Sequence, residues 1–190
     1  MSEINIYTDC SFDAEKKLAV GACKILYKPL NSNFSAISNA DSTISEQALP
    51  LKEFPLKCDS CGKGELLTMI WALQNFKTWM QDFKISTDSI PRPRLNLYTD
   101  SKTIADLPAR RIKLEQNEFR SKRTGKLLSQ EDHYKEIYNL IDQLRCEFDL
   151  NFTWVKGHTS QHLRSTHEQM MSEVDQFSRD SLRKIRAESL

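Results

Sequence analysis

Two segments of this chain end alike: Ile4 to Asp9 reads INIYTD and Leu95 to Asp100 reads LNLYTD, with Ser11 and Ser101 close behind. In each, β-branched or large apolar residues alternate with smaller polar ones, the period of a strand, and the pattern stops where the chain turns polar. Laid side by side and parallel, the two strands bring their terminal carboxylates together at the carboxyl edge of the sheet, where open α/β sheets bind ligands. Two carboxylates about 4 Å apart repel by roughly 4 kcal/mol at an effective dielectric near 20, and a divalent cation removes that penalty. Oxygen ligands without His or Cys beside them favour magnesium or manganese over zinc. Taken singly, each Asp is also an ordinary turn former, and it is the duplication that argues for a site.

The rest of the chain supplies the covering layers. Ala19 to Tyr27 and about Asn33 to Ser38 read as further strands, joined through Pro29 to Ser32 as antiparallel neighbours. Residues 39 to 64 carry no clean period and contain Pro50 and Pro55, so residues 40–63 are expected to be an insertion, either a flap or a mobile segment. Glu65 opens a helix with Leu66, Met69, Ile70, Leu73, Phe76 and Met80 on one face. A short helix over 101–107 stopped near Pro108, a longer one over 131–145, a strand from Leu150 to Val155 and a last helix over about 168–186 follow. The order predicts an α/β architecture in one domain spanning residues 1–190, a mixed sheet with helices on its faces.

Composition narrows the class. At 39% apolar and 28% charged residues the chain is globular, and no run approaches the roughly 18 apolar residues of a membrane span. Met1 to Asp9 has neither a basic nor an apolar leader region, and the five cysteines are odd in number and scattered. A cytoplasmic protein with reduced thiols and no membrane partner is expected, with nothing to indicate a protein partner or more than a monomer. The net charge of +1 hides a local excess: residues 110–126 hold seven Lys or Arg and two Glu. Arg110, Arg111, Lys113, Arg120, Lys122, Arg123 and Lys126 are therefore candidate contacts to a phosphodiester backbone, the other reading being a solvated helix face. Phe119 among them would either stack on a sugar or base or anchor the segment by packing. Cys58 and Cys61 form a CxxC with no second pair, read as ordinary thiols in an insertion, with half a zinc site or a redox pair as the alternatives.

The motifs together resemble the ribonuclease H family. IYTDCS is similar to its first-strand motif, KGELLTMIWAL to its glutamate-bearing helix, LYTDSK to its fourth-strand motif, FTWVKGHTS to its fifth strand and histidine loop, and EVDQFSRDSLR to its terminal acidic segment. They occur in the family's order from about residue 4 to residue 183. The resemblance implies a five-stranded mixed sheet flanked by helices, and an endonuclease that hydrolyses the RNA strand of RNA–DNA hybrids with two Mg2+ ions, or Mn2+. By that resemblance Asp9, Glu65, Asp100 and Asp175 would be the metal ligands and His158 the auxiliary residue assisting the attacking water or the leaving product. Arg179 would steady the acidic cluster, and Ser11 and Lys102 would join the basic segment in touching nucleic acid. Glu46 or Glu53 compete with Glu65, and Glu168 or Glu173 with Asp175, which follows His158 by 17 residues. His158, His162 and His167 read as parts of a mobile polar loop rather than a metal cluster. Cys10, Lys63, Gly64 and Lys102 depart from the family pattern at positions near the site, which bears on hybrid selectivity. The alternative function is a non-catalytic nucleic-acid-binding module of the same fold, or a related nuclease acting on other structured nucleic acid.

Overall fold

The computed structural model describes residues 2–29, 47–82, 92–157, 162 and 164–188. Six strands, β1 (Glu3–Asp13), β2 (Leu18–Lys28), β3 (Gln47–Ala48), β4 (Lys52–Lys57), β5 (Arg94–Thr99) and β6 (Asp149–Trp154), form one mixed sheet. The helices are α1 (Cys61–Asp82), α2 (Lys102–Ala105), α3 (Leu107–Gln116), α4 (Glu131–Arg145) and α5 (Thr166–Glu188). β1 and β2 are antiparallel, whereas β5 and β6 run parallel to β1. β3 and β4 pair with successive parts of β2, so the six strands occupy five lanes, as the expected five-stranded sheet requires.

Apolar periodicity decides which faces the helices cover. In α4, Tyr134, Ile137, Tyr138, Ile141 and Leu144 are buried at three-four spacing, with Glu131 and Asp132 in the first turn and Arg145 in the last to complement the dipole. α1 and α4 cover the face bearing Ile4, Ile6, Leu95 and Leu97, while α5 covers Tyr7, Ala22 and Tyr98 through Met171 and Val174. No described helix is long and apolar enough to cross a membrane.

Several expectations shift. β1 does not stop at Asp9 but continues to Asp13, because β2 pairs with it over that whole length. The 40–63 segment is not irregular throughout: residues 47–63 hold β3, β4 and the first turn of α1, and β4 alternates half-buried and exposed residues through Pro55. Proline is tolerated there because β4 is an outer lane pairing with β2 alone. α1 starts at Cys61, four residues before Glu65, which therefore lies in the second turn. Pro108 does not stop a helix but opens α3, where its missing N–H and fixed φ cost nothing. The strand expected over Asn33 to Ser38 falls outside the described residues.

Two glycines set how closely α1 approaches the sheet. A Cβ on Gly21 of β2 would lie 2.0 Å from Thr68 Oγ1, and one on Gly64 would lie 2.7 Å from Cys10 Sγ. The fully buried Thr68 turns its hydroxyl back onto the Gly64 carbonyl at 2.8 Å, so no donor is stranded at this contact. The first turns of α1 are thus pressed against β1 beside Asp9, and they carry Glu65 with them.

Candidate active site

The register pairs Tyr7 with Tyr98, so Asp9 and Asp100, each two residues further on, leave the paired region level with one another. Beyond this point β1 follows β2, and β5 ends, opening a cleft between them. Tyr7 and Tyr98 stack at 4.7 Å beneath the cleft, and His167 closes the stack: its Nδ1 lies 2.8 Å from the Tyr7 hydroxyl. His167 is the second residue of α5 and holds that helix to the sheet, so its place is not the mobile loop the sequence suggested.

Asp9 of β1 stands within electrostatic reach of three further carboxylates at this cleft: Asp100 just after β5, Glu65 of α1 and Asp175 of α5. Asp9 is buried, and its carboxyl is pushed up to about 7, first by desolvation and then by the charges of Asp100, Asp175 and Glu65, against a lowering backbone hydrogen bond from Cys10. Asp100 follows β5, with Trp154 Nε1 donating to its carbonyl at 2.9 Å and the Gly157 backbone pressed against its carboxylate, where a Cβ would stand 3.3 Å from Oδ2. Asp175 accepts hydrogen bonds from two of the three guanidinium nitrogens of Arg179 one turn along α5, from Nε at 2.7 Å and from Nη2. Ser178 donates to the Asp175 carbonyl at 2.9 Å and meets Ser11 Oγ at 2.8 Å, pinning α5 to β1. Glu65 accepts from the Cys61 thiol at 3.5 Å. That thiol is pushed up to about 12 by burial and by the neighbouring carboxylates, Glu65 foremost.

Of the rival acids, Glu168 and Glu173 have partners of their own. Ser165 and Glu168 form a reciprocal capping box on α5: the Ser165 N–H donates to Glu168 Oε2 at 2.8 Å, and the Glu168 N–H to Ser165 Oγ at 3.3 Å. Glu173 is ion-paired with Lys24. Glu53 sits two lanes from Asp9 in a groove with Phe177, Ser181 and Lys184. Glu46 and His158 lie outside the described residues.

The donor chemistry fits hard divalent cations: oxygen ligands only, mutually repelling, one of them buried. Among the described residues no three His, Cys, Asp or Glu side chains converge within ligating distance of one point, since Asp175 faces Arg179 and Glu65 faces Cys61. Beside Asp100 and Asp175 a cavity of about 60 Å³ is lined also by Lys156, Gly157, Arg164 and Glu168.

The basic segment divides into two kinds of residue. Arg111 grips Asp142 with both terminal nitrogens at 2.5 and 2.8 Å and Glu115 at 2.7 Å, and lies 5.1 Å over the Tyr138 ring. These partners hold its guanidinium well above the usual arginine range, so its charge is spent inside the fold. Lys113, Arg120, Lys122, Arg123 and Lys126 are exposed, Arg110 is partly buried, and Lys102 is exposed at the start of α2. Phe119 is the packing anchor, buried against Tyr138 despite a φ of 53° that a bulky side chain rarely adopts. The contacts that sequence reasoning missed, His167 with Tyr7 and Arg111 with Asp142, join positions 160 and 31 residues apart, and no local pattern announces them.

No protein-family model matches the chain, and no curated protein matches it. Solved structures do. The solution structure of the PFV RNase H domain superposes with a TM-score of 0.61 at 18% identity, covering 94% of this chain and 93% of that one. LC11-RNase H1, isolated from compost by a metagenomic approach, gives 0.54 at 12% identity over 97% and 99% of the two chains. The foamy viral protease-reverse transcriptase in complex with RNA/DNA hybrid gives 0.58 at 12% identity, and there this chain corresponds to 19% of the larger protein. At these identities the likeness is one of architecture, and the chain has the ribonuclease H-like fold.

Proposed function

We propose that this chain is a ribonuclease H-type endonuclease, a single catalytic domain over residues 1–190 that hydrolyses the RNA strand of RNA–DNA hybrids. The observation that carries the reading is the meeting of Asp9, Glu65, Asp100 and Asp175 at one cleft, with a buried Asp9 whose charge the other three oppose. These four would hold two divalent ions, Mg2+ or Mn2+, which when bound polarise the scissile phosphate and activate water. Around them the chain's own groups orient the substrate. Lys156 and Arg164, in the cavity with Asp100 and Asp175, place positive charge where phosphate oxygens would lie. Arg179 holds Asp175, and Ser178 with Ser11 fixes the helix that bears it. His158 would assist proton transfer to or from the attacking water or leaving 3′ oxygen, giving 5′ phosphate and 3′ hydroxyl ends. Exposed Lys113, Arg120, Lys122, Arg123 and Lys126 would track the backbone of the paired strand, with Arg110 and Lys102 at their flank.

A second reading draws on Asp175, whose carboxylate is occupied by Arg179. Were that pairing permanent, the site would be short of one ligand and the chain a binding module without turnover. End-labelled hybrid, duplex RNA and duplex DNA incubated with Mg2+ or Mn2+, beside Asp100→Asn, separate the two. Cutting of the hybrid's RNA strand alone, lost in Asp100→Asn, supports the nuclease. Hybrid bound but uncut in either metal supports the module.

A further inference from the structure

Trp154, the last residue of the outer lane β6, is 48% exposed. The chain's other two tryptophans are packed against aromatic neighbours: half-buried Trp71 stacks on Phe54 at 5.1 Å, and buried Trp79 sits at a steep angle against Trp71. The Trp154 indole is exposed yet not loose, because its Nε1–H is held by the Asp100 carbonyl at 2.9 Å. The ring is thus fixed at the lip of the carboxylate cleft.

The surroundings indicate what would lie on it. A groove of about 310 Å³ runs beside the indole, lined also by Tyr98, Thr153, Lys156, His167 and Glu168, the last turned back onto Ser165 as its capping partner. Lys156 lines this groove and the cavity of Asp100 and Asp175 as well, with Arg164 on the cavity side. A flat π surface, a cation and a carboxylate cluster therefore follow one another along a continuous path. An aromatic ring left about half exposed among the described residues suits a partner with its own flat faces and regularly spaced negative charge, which describes a nucleic-acid strand better than a polypeptide.

We propose that Trp154 is a stacking platform for the nucleotide flanking the phosphate to be cut, its sugar and base edge laid on the indole while Lys156 takes the adjoining phosphate. The inference rests on the reading that the carboxylates act on nucleic acid. It adds a residue that selects how the strand enters, through contact with substrate rather than through the ions. The side chain also holds the Asp100 carbonyl, so the two roles have to be parted. Phenylalanine keeps a stacking face and loses the N–H, whereas leucine loses both.

Tryptophan emission of the wild-type chain, titrated with hybrid in chelator at low salt, is expected to change saturably. The same titration of Trp154→Phe, which leaves only the two packed indoles, is expected to show no change. In cleavage assays Trp154→Leu is expected to raise KM about tenfold, as loss of one stacking contact does, with kcat within about twofold, and Trp154→Phe to restore most of the difference. A wild-type chain that cuts hybrid while its emission never responds overturns the platform and leaves the nuclease standing. Equal loss of kcat in the Phe and Leu variants also overturns it, since Trp154 would then act by positioning Asp100. Saturable quenching without cutting in any metal keeps Trp154 as a stacking contact for bound nucleic acid and removes both the nuclease and the platform's place beside a phosphate to be cut. No binding at all removes both.

Discussion

Replacing Asp9 by Asn is expected to make the metal-free chain more stable, and to do so only above acid pH. Asp9 is buried beside three other carboxylates, which holds its carboxyl near 7 against an ordinary 3.8. A group whose folded pKa is raised binds its proton more tightly in the folded chain. Its stabilising effect is complete below about 4 and is lost as pH climbs through about 7. At 1.36 kcal/mol per unit, ionising Asp9 costs the folded state about 4 kcal/mol by pH 8, of which about 3 kcal/mol accrues between pH 5 and pH 8. Asn fills nearly the same space without a charge. In chelator, urea unfolding at pH 8 should place Asp9→Asn above wild type by a few kcal/mol, and the gap should narrow by about 3 kcal/mol at pH 5. Magnesium should raise the wild type more than the variant. A variant less stable than wild type at pH 8, or a gap independent of pH, would refute the assignment of Asp9 as a buried, repelled carboxyl.

Gly21→Ala drives a methyl to within 2.0 Å of Thr68 Oγ1 and under 3 Å of its Cγ2 and Cβ, so no rotation of that short, buried side chain relieves the clash and the helix must lift, costing about 3 kcal/mol in urea unfolding. Arg111→Ala breaks the grip on Asp142 and is expected to lower the melting temperature while leaving the salt slope of hybrid binding unchanged. Lys122→Ala with Arg123→Ala should do the reverse and flatten that slope by about 2. Glu168→Ala removes half of the α5 capping box, for about 1 kcal/mol of stability and little change in cleavage, whereas Asp175→Asn should abolish cleavage. If Glu168→Ala also abolishes it, the assignment of the fourth ligand moves to Glu168.

What the sequence disclosed follows from the range of the interactions involved. α4 was legible at its observed bounds because Tyr134, Ile137, Tyr138, Ile141 and Leu144 sit on one face and the charges at its ends agree with the dipole. Asp9 and Asp100 stood out because the same tripeptide closes two similar apolar runs, although only β5 ends there and β1 runs on to Asp13. The start of α1 was not, since Cys61, Gly62, Lys63 and Gly64 show no apolar period and two glycines argue against a helix. Only the contact of Gly64 with Cys10, 54 residues earlier in the chain, gives the second glycine its reason. β4 was hidden by Pro55, which counts against a central strand and not against an outer one. The basic segment's charge was plain, but Arg111 was counted with its neighbours because its neutralising partner Asp142 lies in another helix.

The glycine contacts of α1 have a consequence for how this domain tolerates change. Gly21, Gly64 and Thr68 carry no charge and ligate no ion, yet they set how closely the first turns of α1, and Glu65 with them, approach the strand that bears Asp9. In a saturation library scored for activity, these three positions should be nearly as unforgiving as the carboxylates themselves. Exposed Ile112 in the basic segment and Leu127 just after it should accept most replacements. Small side chains at a helix–sheet seam would then leave the same mark on such a map as the acids that do the chemistry, and only a stability readout would tell the two apart.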